Sequence, residues 1–284
     1  MPSRESHVAI ERIALVVHPS RPDAKTVAAR LREWWESRGV LVVDVGGNEL
    51  EADGDAGGFS FAISLGGDGT MLRAVRFAAP RGIPIAGVNL GGLGYLTEIE
   101  PSRLEEAFGR LVSGEFDIDE RMILDVQLVH SDGGREHHLA LNDAVIERNR
   151  PGRTVRVGVS IADMPFLSCV ADGVLVATPT GSTAYNLSVR GPILSPTLRA
   201  LILTPISPHM LFDRSLVLDP SEEIRLEILE GPPAVLVIDG YFPTPVESED
   251  VIVISASEQS ARFVRLATPH FHAILRAKFG FPDR

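Results

Sequence analysis

Five residues, Gly66-Gly67-Asp68-Gly69-Thr70, stand between an apolar run (FAISL) and a helical pattern (MLRAVRFAA). Glycines let the backbone approach a phosphate closely, and a helix N-terminus offers unpaired N–H donors and a dipole that favours an anion. Asp68 is the odd member. A carboxylate repels phosphate unless it holds a metal or takes a proton, and removing a proton from an attacking hydroxyl is work a kinase requires. Alone, GGDG would equally suit a tight turn with Asp68 as a helix cap. The strand before it and the helix after it favour the ligand-binding reading. Two familiar nucleotide loops are missing: Gly67-x-Gly69 lacks the third small residue of GxGxxG, and no GxxxxGK[ST] occurs.

A second glycine turn, Asn89-Leu90-Gly91-Gly92-Leu93-Gly94-Tyr95, follows the next apolar run. On spacing alone it suits a flexible connection as well as a ligand loop. A third segment, Thr178–Ser188 (TPTGSTAYNLS), groups hydroxyls around a glycine and a tyrosine after the apolar VLVA. Hydroxyls bond phosphate or ribose, and a tyrosine face stacks on a base. Standing alone, this stretch would read as a Ser/Thr-rich turn capping a helix.

The elements that must position these segments follow from periodicity. Arg12–Val17 reads as a strand, and Asp23–Arg38 as a helix with Val27, Leu31 and Trp34 on one face, stopped by Gly39. Val40–Val45, Phe59–Leu65 and Ile83–Val88 read as strands, Met71–Ala79 and Pro101–Val112 as helices. Strands separated by helices predict a parallel sheet with right-handed crossovers, and ligands gather at the C-terminal ends of such strands. After about Glu115 the pattern becomes mainly β: Met122–Val129, Leu139–Ile146, Thr154–Ile161, Val174–Ala177, Ala200–Thr204, Ile224–Leu229, Val235–Ile238 and Val251–Ile254. In Thr154–Ile161, Val155, Val157, Val159 and Ile161 alternate at period 2, as in a half-buried antiparallel strand. The expectation is an α/β N-terminal domain on a Rossmann-like parallel sheet, residues 1–115, then a β-rich, β-sandwich-like domain, residues 116–268. A helix at Pro269–Lys278 should carry the end of the chain, 269–284, back to the first domain.

GGDGT at 66–70, NLGGLGYLTE at 89–98, ALND at 140–143, ADG at 171–173, TPTGSTAYNLS at 178–188 and PHMLFDRSLV at 208–217 together resemble the NAD kinases, in order and spacing, over nearly the whole chain. GGDGT alone is less specific, since diacylglycerol kinases, sphingosine kinases and phosphofructokinases carry similar loops; TPTGSTAYNLS with ALND singles out NAD kinase. The resemblance implies phosphoryl transfer from ATP, another nucleotide or polyphosphate to the adenosine ribose 2′-hydroxyl of NAD. It makes Asp68 the base, with Gly66, Gly67, Gly69 and Thr70 forming a phosphate loop. Gly69, Arg73, Asn142, Asp143, Arg153, Asp172, Thr183, Ala184, Tyr185, Asn186, Leu187 and Ser188 join Asp68 in the NAD site, which should lie between the domains. It further implies Mg²⁺ or a similar cation on the donor, and a homodimer or homotetramer. Two positions depart from the family pattern: Asp239-Gly240 is followed by Tyr241 where glutamine is common, and Arg190 replaces a common glycine.

Composition narrows the partners. The chain of 284 residues carries a formal charge of −11, which argues against nucleic acid or an acidic membrane surface as partner. It also weighs against a lipid kinase, the first alternative. A non-enzymatic nucleotide sensor, the second, should lack a usable acid in the glycine turn, and Asp68 is present. No signal peptide or membrane span is legible and the one cysteine, Cys169, reads as a buried small side chain, so a cytoplasmic protein is expected. His137-His138 lacks further His or Cys at ligand spacing and reads as part of a solvated hairpin, His209 as a packed histidine, and Arg214 as one half of an ion pair.

Overall fold

The computed structural model describes residues 10–46, 58–150, 152–267 and 271–280. Contacts divide the chain into two units, Met1–Glu120 with Ala261–Arg284, and Arg121–Ser260.

In the first unit, β1 (Arg12–Val17), α1 (Pro22–Glu36), β2 (Leu41–Asp44), β3 (Phe61–Gly66), α2 (Asp68–Ala78), β4 (Ile85–Asn89) and α3 (Leu104–Ser113) follow one another. The sheet is parallel in the order β2-β1-β3-β4, as strand–helix alternation requires. α1 opens with proline at its first turn and buries Ala24, Val27, Leu31 and Trp35. The expected apolar face holds at Val27 and Leu31, with Trp35 in place of Trp34 as its third large residue. Trp35 is fully buried, while Trp34 is half-buried against Trp35 and Phe108, with the Arg38 guanidinium over its ring.

The strand pairs within the second unit are antiparallel. It holds β5 (Asp117–Val129), β6 (Arg135–Ala140), β7 (Asp143–Arg148), β8 (Val155–Ile161), β9 (Met164–Ala171), β10 (Gly173–Ala177), β11 (Leu201–Ile206), β12 (Leu216–Leu218), β13 (Ile224–Glu230), β14 (Ala234–Ile238), β15 (Tyr241–Val246) and β16 (Val251–Arg265). One sheet runs β12-β11-β10-β7-β14-β15; the other contains β16-β13-β8-β9 and the β5–β6 hairpin. Their inner faces share a core that includes Leu124, Val157 and Leu226 from one sheet and Ile146, Val176 and Leu203 from the other. This is the expected sandwich. Cys169 lies in that core, and burial pushes its thiol up.

β5 and β16 each run through a unit boundary, at 120/121 and 260/261, so no turn or change of composition marks the division. The expected boundaries were 115/116 and 268/269. The last residues of β16 pair in parallel with β4, Phe263 opposite Ile85. A final helix, α5 (Phe271–Phe279), belongs to the first unit; Pro269, where the sequence pattern starts it, lies outside the described residues.

Two further differences concern the β-rich part, and one expectation there holds, since His137 and His138 belong to the β5–β6 hairpin. Leu139–Ile146, read as one strand, is interrupted at Leu141-Asn142. β9, β12 and β15 carry no clear alternation in the sequence; β9 is a sheet edge with half of its side chains exposed. His137 and His138 stand within β6, where His137 Nε2 meets Asp125 at 2.8 Å and His138 Nε2 meets Glu136 at 3.2 Å.

Candidate active site

The GGDGT loop leaves β3 and becomes α2 without an intervening loop. Asp68 is the first helical residue, Gly67 its extended N-cap, and the Thr70 and Met71 amides return to the Gly67 carbonyl. Gly66 is required by packing, since a Cβ there would collide with the Thr70 hydroxyl. Gly69 is exposed, and Arg73, one turn on, donates to the Val17 carbonyl at 3.2 Å. Asp68 does not cap its own helix by a side-chain bond. Its carboxylate instead accepts the Tyr95 and Leu96 peptide N–H groups at 3.0 and 3.1 Å. The second glycine turn is therefore a clamp on the acid of the first. Gly94 allows it: a Cβ there would lie 2.6 Å from Asp68 Oδ1 and 2.6 Å from Thr97 Oγ1.

The clamp is itself held. Arg265, almost fully buried, donates to the Leu96 carbonyl at 3.1 Å and to Asp119 at 3.1 Å. Glu98 accepts the Leu266 and Ala267 amides, and Tyr95 lies beside Phe271 and under the Lys278 ammonium. In the sequence, Arg265 shows only as an arginine among apolar strand residues.

In the second unit, a cavity of about 410 Å³ is lined by Asn142, Asp143, Val145, Glu147, Ala184, Tyr185, Val237, Asp239 and Gly240. It brings Asn142 and Asp143 together with Ala184 and Tyr185, segments about 40 residues apart in sequence but adjacent through β7 and β10. Thr178 links them. Its amide donates to the Asn142 carbonyl at 2.9 Å, its hydroxyl to the Leu141 carbonyl, and it accepts the Gly181 amide at 3.0 Å. Gly181 packs against the Asn142 carbonyl so tightly that any Cβ would overlap it.

The remaining predicted residues divide by burial. Tyr185 opens the short helix α4 (Tyr185–Ser188) and is 38% exposed at the cavity. Asn186 is fully buried and its amide is spent internally, donating to Pro192 O at 3.0 Å and accepting the Thr204 hydroxyl at 2.8 Å. Thr183 donates to Thr180 O; Leu187 is half-buried and Ser188 exposed. Asp172 is bound by Arg148 at 2.7 Å, which holds its carboxyl below the usual range, and Arg153 is exposed on the loop before β8. None of these six lines the cavity. His209 is exposed rather than packed, although its backbone amide donates to the Val170 carbonyl at 2.7 Å. Arg214 pairs with its neighbour Asp213 at 3.4 Å.

Electrostatics set this cavity apart from a phosphate site. Three carboxylates, Asp143, Glu147 and Asp239, line it without any Lys or Arg. Burial, reinforced by Asp239, pushes the Asp143 carboxyl up to about 7, while the Tyr185 amide bonded to it works in the other direction. Val145, Glu147, Val237, Asp239 and Gly240 line the cavity without a sequence signal that marks them for the site. Asp239 stood only as the start of the departing Asp-Gly-Tyr segment.

Comparison with known proteins agrees with these segments. Residues 48–116 match the family model of the ATP-NAD kinase N-terminal domain, and residues 141–266 that of the ATP-NAD kinase C-terminal domain. The NAD kinase of Heliobacterium modesticaldum is 38% identical over 275 residues, 94% of this chain and 97% of that protein. That of Syntrophotalea carbinolica is 36% identical over 285 residues, 97% of this chain and 100% of that protein. Among solved structures, yeast NADH kinase complexed with NADH superimposes with a TM-score of 0.86 at 24% identity, covering 97% of this chain and 89% of that one, a likeness of fold. An NAD kinase from Archaeoglobus fulgidus in complex with ATP gives a TM-score of 0.71 at 26% identity, covering 95% and 97%. With both domain models matched in order and relatives above 30% identity along nearly the full length, the chain belongs to the NAD kinase family.

Proposed function

We propose that the protein transfers the terminal phosphoryl group of ATP to the adenosine ribose 2′-hydroxyl of NAD, forming NADP and ADP, with Asp68 taking the hydroxyl proton. The observation that carries the reading is the 410 Å³ cavity, rich in carboxylate acceptors, free of lysine and arginine, and edged by Tyr185. Such a pocket suits a nucleoside, whose hydroxyls and amino group donate hydrogen bonds and whose base stacks on an aromatic face. It does not suit a phosphate. The acidic lining thus separates nucleoside binding from the phosphate chemistry assigned to the GGDGT loop.

In this reading the 2′-oxygen bonds to the terminal phosphorus as the bond to the bridging oxygen of ATP breaks, and the hydroxyl proton passes to an Asp68 oxygen. Each Asp68 oxygen accepts one amide and keeps a further lone-pair direction for the hydroxyl. Two fixed amides orient the base, and positioning supplies much of the rate in phosphoryl transfer. Gly66, Gly67, Gly69 and Thr70 would face donor phosphates, and Arg73, Arg153, Asp172, Thr183, Asn186, Leu187 and Ser188 complete the assigned NAD set, Asn186 by holding the loop. Bound Mg²⁺ would neutralise donor phosphates. Among the described residues no three His, Cys, Asp or Glu side chains form a cation cage.

ATP as donor is supported by the ATP complex of the Archaeoglobus relative. A homodimer or homotetramer is supported by apolar side chains left on the surface of the second unit: Met164 and Phe166 on the edge strand β9, and Leu211. The assigned location is the cytoplasm, and no helix among the described residues is long and apolar enough to cross a membrane. No observation favours the lipid-kinase or sensor readings.

Purified protein incubated with NAD, Mg²⁺ and ATP should form NADP, read with a dehydrogenase specific for it; polyphosphate and other nucleotides tested separately define the donor. NAD binding without NADP would identify a sensor, and phosphorylation of diacylglycerol or sphingosine instead would identify a lipid kinase.

A further inference from the structure

One wall of the cavity is a broken strand. The run Leu139–Ile146 is apolar enough to continue as a single strand, yet β6 ends at Ala140 and β7 begins at Asp143. Here the chain leaves the sheet of β5 and β6 for the sheet of β7, β10 and β14; such a crossing leaves peptide N–H groups outside either ladder, and buried ones must find partners. Here three in a row, from Leu141, Asn142 and Asp143, donate to a single side chain, the Asp239 carboxylate, at 2.9, 2.7 and 3.2 Å. Asp239 is 6% exposed and forms, with Gly240, the tight turn joining β14 to β15. Both residues lie in left-handed backbone, φ 51° and 74°, a turn in which Asp-Gly is the favoured pair. Its own amide donates to the Asp143 carbonyl at 2.9 Å, so turn and break are locked from both sides.

We propose that Asp239 is the positioning residue of the NAD pocket: by holding these three amides it sets where Asn142 and Asp143 present their side chains, so its loss weakens NAD binding rather than slowing the chemical step. The proposal rests on the reading that Asn142 and Asp143 hold the nucleoside. Asp143 supplies a signature that a merely structural cap would lack. Its buried carboxyl feels the Asp239 charge, shares the cavity with Glu147 of β7, and accepts the Tyr185 amide of α4; Asp172, beside Tyr185, is paired with Arg148. The apolar Ala177 stands opposite Asp143 on β10. Removing the Asp239 charge therefore moves the Asp143 titration to lower pH.

The test measures kcat and the KM for NAD at saturating ATP from about pH 5 to 9, for the unaltered enzyme, Asp239→Ala, Asp239→Asn and Asn142→Ala. Asp239→Ala should raise the NAD KM about tenfold or more with kcat within about threefold. Asp239→Asn, which keeps an acceptor oxygen, should recover part of that loss and shift the acid limb of kcat/KM for NAD to lower pH. If Asp239→Ala does not fold, Asp239→Asn carries the test through that shift. Unchanged NAD KM and an unmoved acid limb in folded Asp239 variants, with Asn142→Ala impaired, would overturn the proposal and leave the pocket reading standing. A parallel fall in kcat and stability with an unmoved limb would overturn it as well. An unimpaired Asn142→Ala would overturn both.

Discussion

Asp68 and Tyr95, 27 residues apart, are joined by a hydrogen bond of 3.0 Å from the Tyr95 peptide N–H to the Asp68 carboxylate. Leu96 adds a second at 3.1 Å, and its carbonyl is held by Arg265, 169 residues further on. The candidate base is thus placed by a loop that is placed, in turn, by the last strand. GGDGT and NLGGLGY act as one device.

Gly94→Ala tests that device without touching Asp68. The new Cβ would sit 2.6 Å from Asp68 Oδ1, too close to be absorbed while both amide bonds remain. Displacing a catalytic group by about 1 Å can cost about 10²-fold in rate. We expect kcat to fall by about tenfold to a hundredfold, with the NAD dissociation constant, measured by calorimetry, changed less than about threefold. A folded variant with normal kcat would show that Asp68 leaves this clamp during turnover.

Tyr185→Ala should weaken NAD binding. The ring is 38% exposed at the cavity, so its loss should spare the fold. Burial and the neighbouring carboxylates push its phenol up, so a neutral aromatic face is what it offers. Stacking of about 1–3 kcal/mol per base corresponds to a rise of roughly ten- to a hundredfold in the NAD KM, and Tyr185→Phe should retain most of the affinity. Equal KM values for the Ala variant and the parent would remove Tyr185 from the site.

Asp143→Asn should exchange function for stability. Asp143 rises from 3.8 to about 7 on folding, so the unfolded chain ionises first. The resulting loss of stability begins near the unfolded value, grows as pH rises, and levels off above the folded value, reaching on the order of 4 kcal/mol as an upper limit. Asparagine retains an acceptor for the Tyr185 amide and cannot ionise. The variant should therefore melt higher than the parent, by a larger margin at pH 8 than at pH 5 in calorimetric scans, while its NAD KM rises. A margin independent of pH would show that Asp143 is not strained by its charge.

Segments with purely local causes were legible. Strand, glycine turn and helix around Asp68, the parallel first half and the antiparallel second half all follow from periodicity and punctuation within about twenty residues. What escaped depends on distant partners. The break at Leu141-Asn142 is invisible in LALNDAVI because its cause is a carboxylate 97 residues later, at Asp239. Trp34 and Trp35 are equally apolar, and only Phe108 and the sheet decide which is fully buried. β9 hides because an edge strand needs apolar residues on one face only and carries Met164 and Phe166 on its exposed side. Of the cavity, Asn142, Asp143, Ala184 and Tyr185 lie in segments that the sequence already marks, whereas Glu147 and Asp239 look like ordinary strand and turn acids until the sheet aligns them.

The central claim is that Asp68 takes the proton from the NAD ribose hydroxyl. Asp68→Asn keeps the size of the side chain and one acceptor oxygen for the Tyr95 or Leu96 amide, so the loop should hold. Melting temperature and circular dichroism confirm that first; then NADP formation is followed with saturating NAD and ATP. General-base catalysis is typically worth about 10²–10⁴-fold, and kcat should fall on that scale while the NAD dissociation constant stays within about threefold. A folded Asp68→Asn enzyme that makes NADP at near-normal kcat would contradict the account, leaving Asp68 as a clamp for the second glycine turn and nothing more.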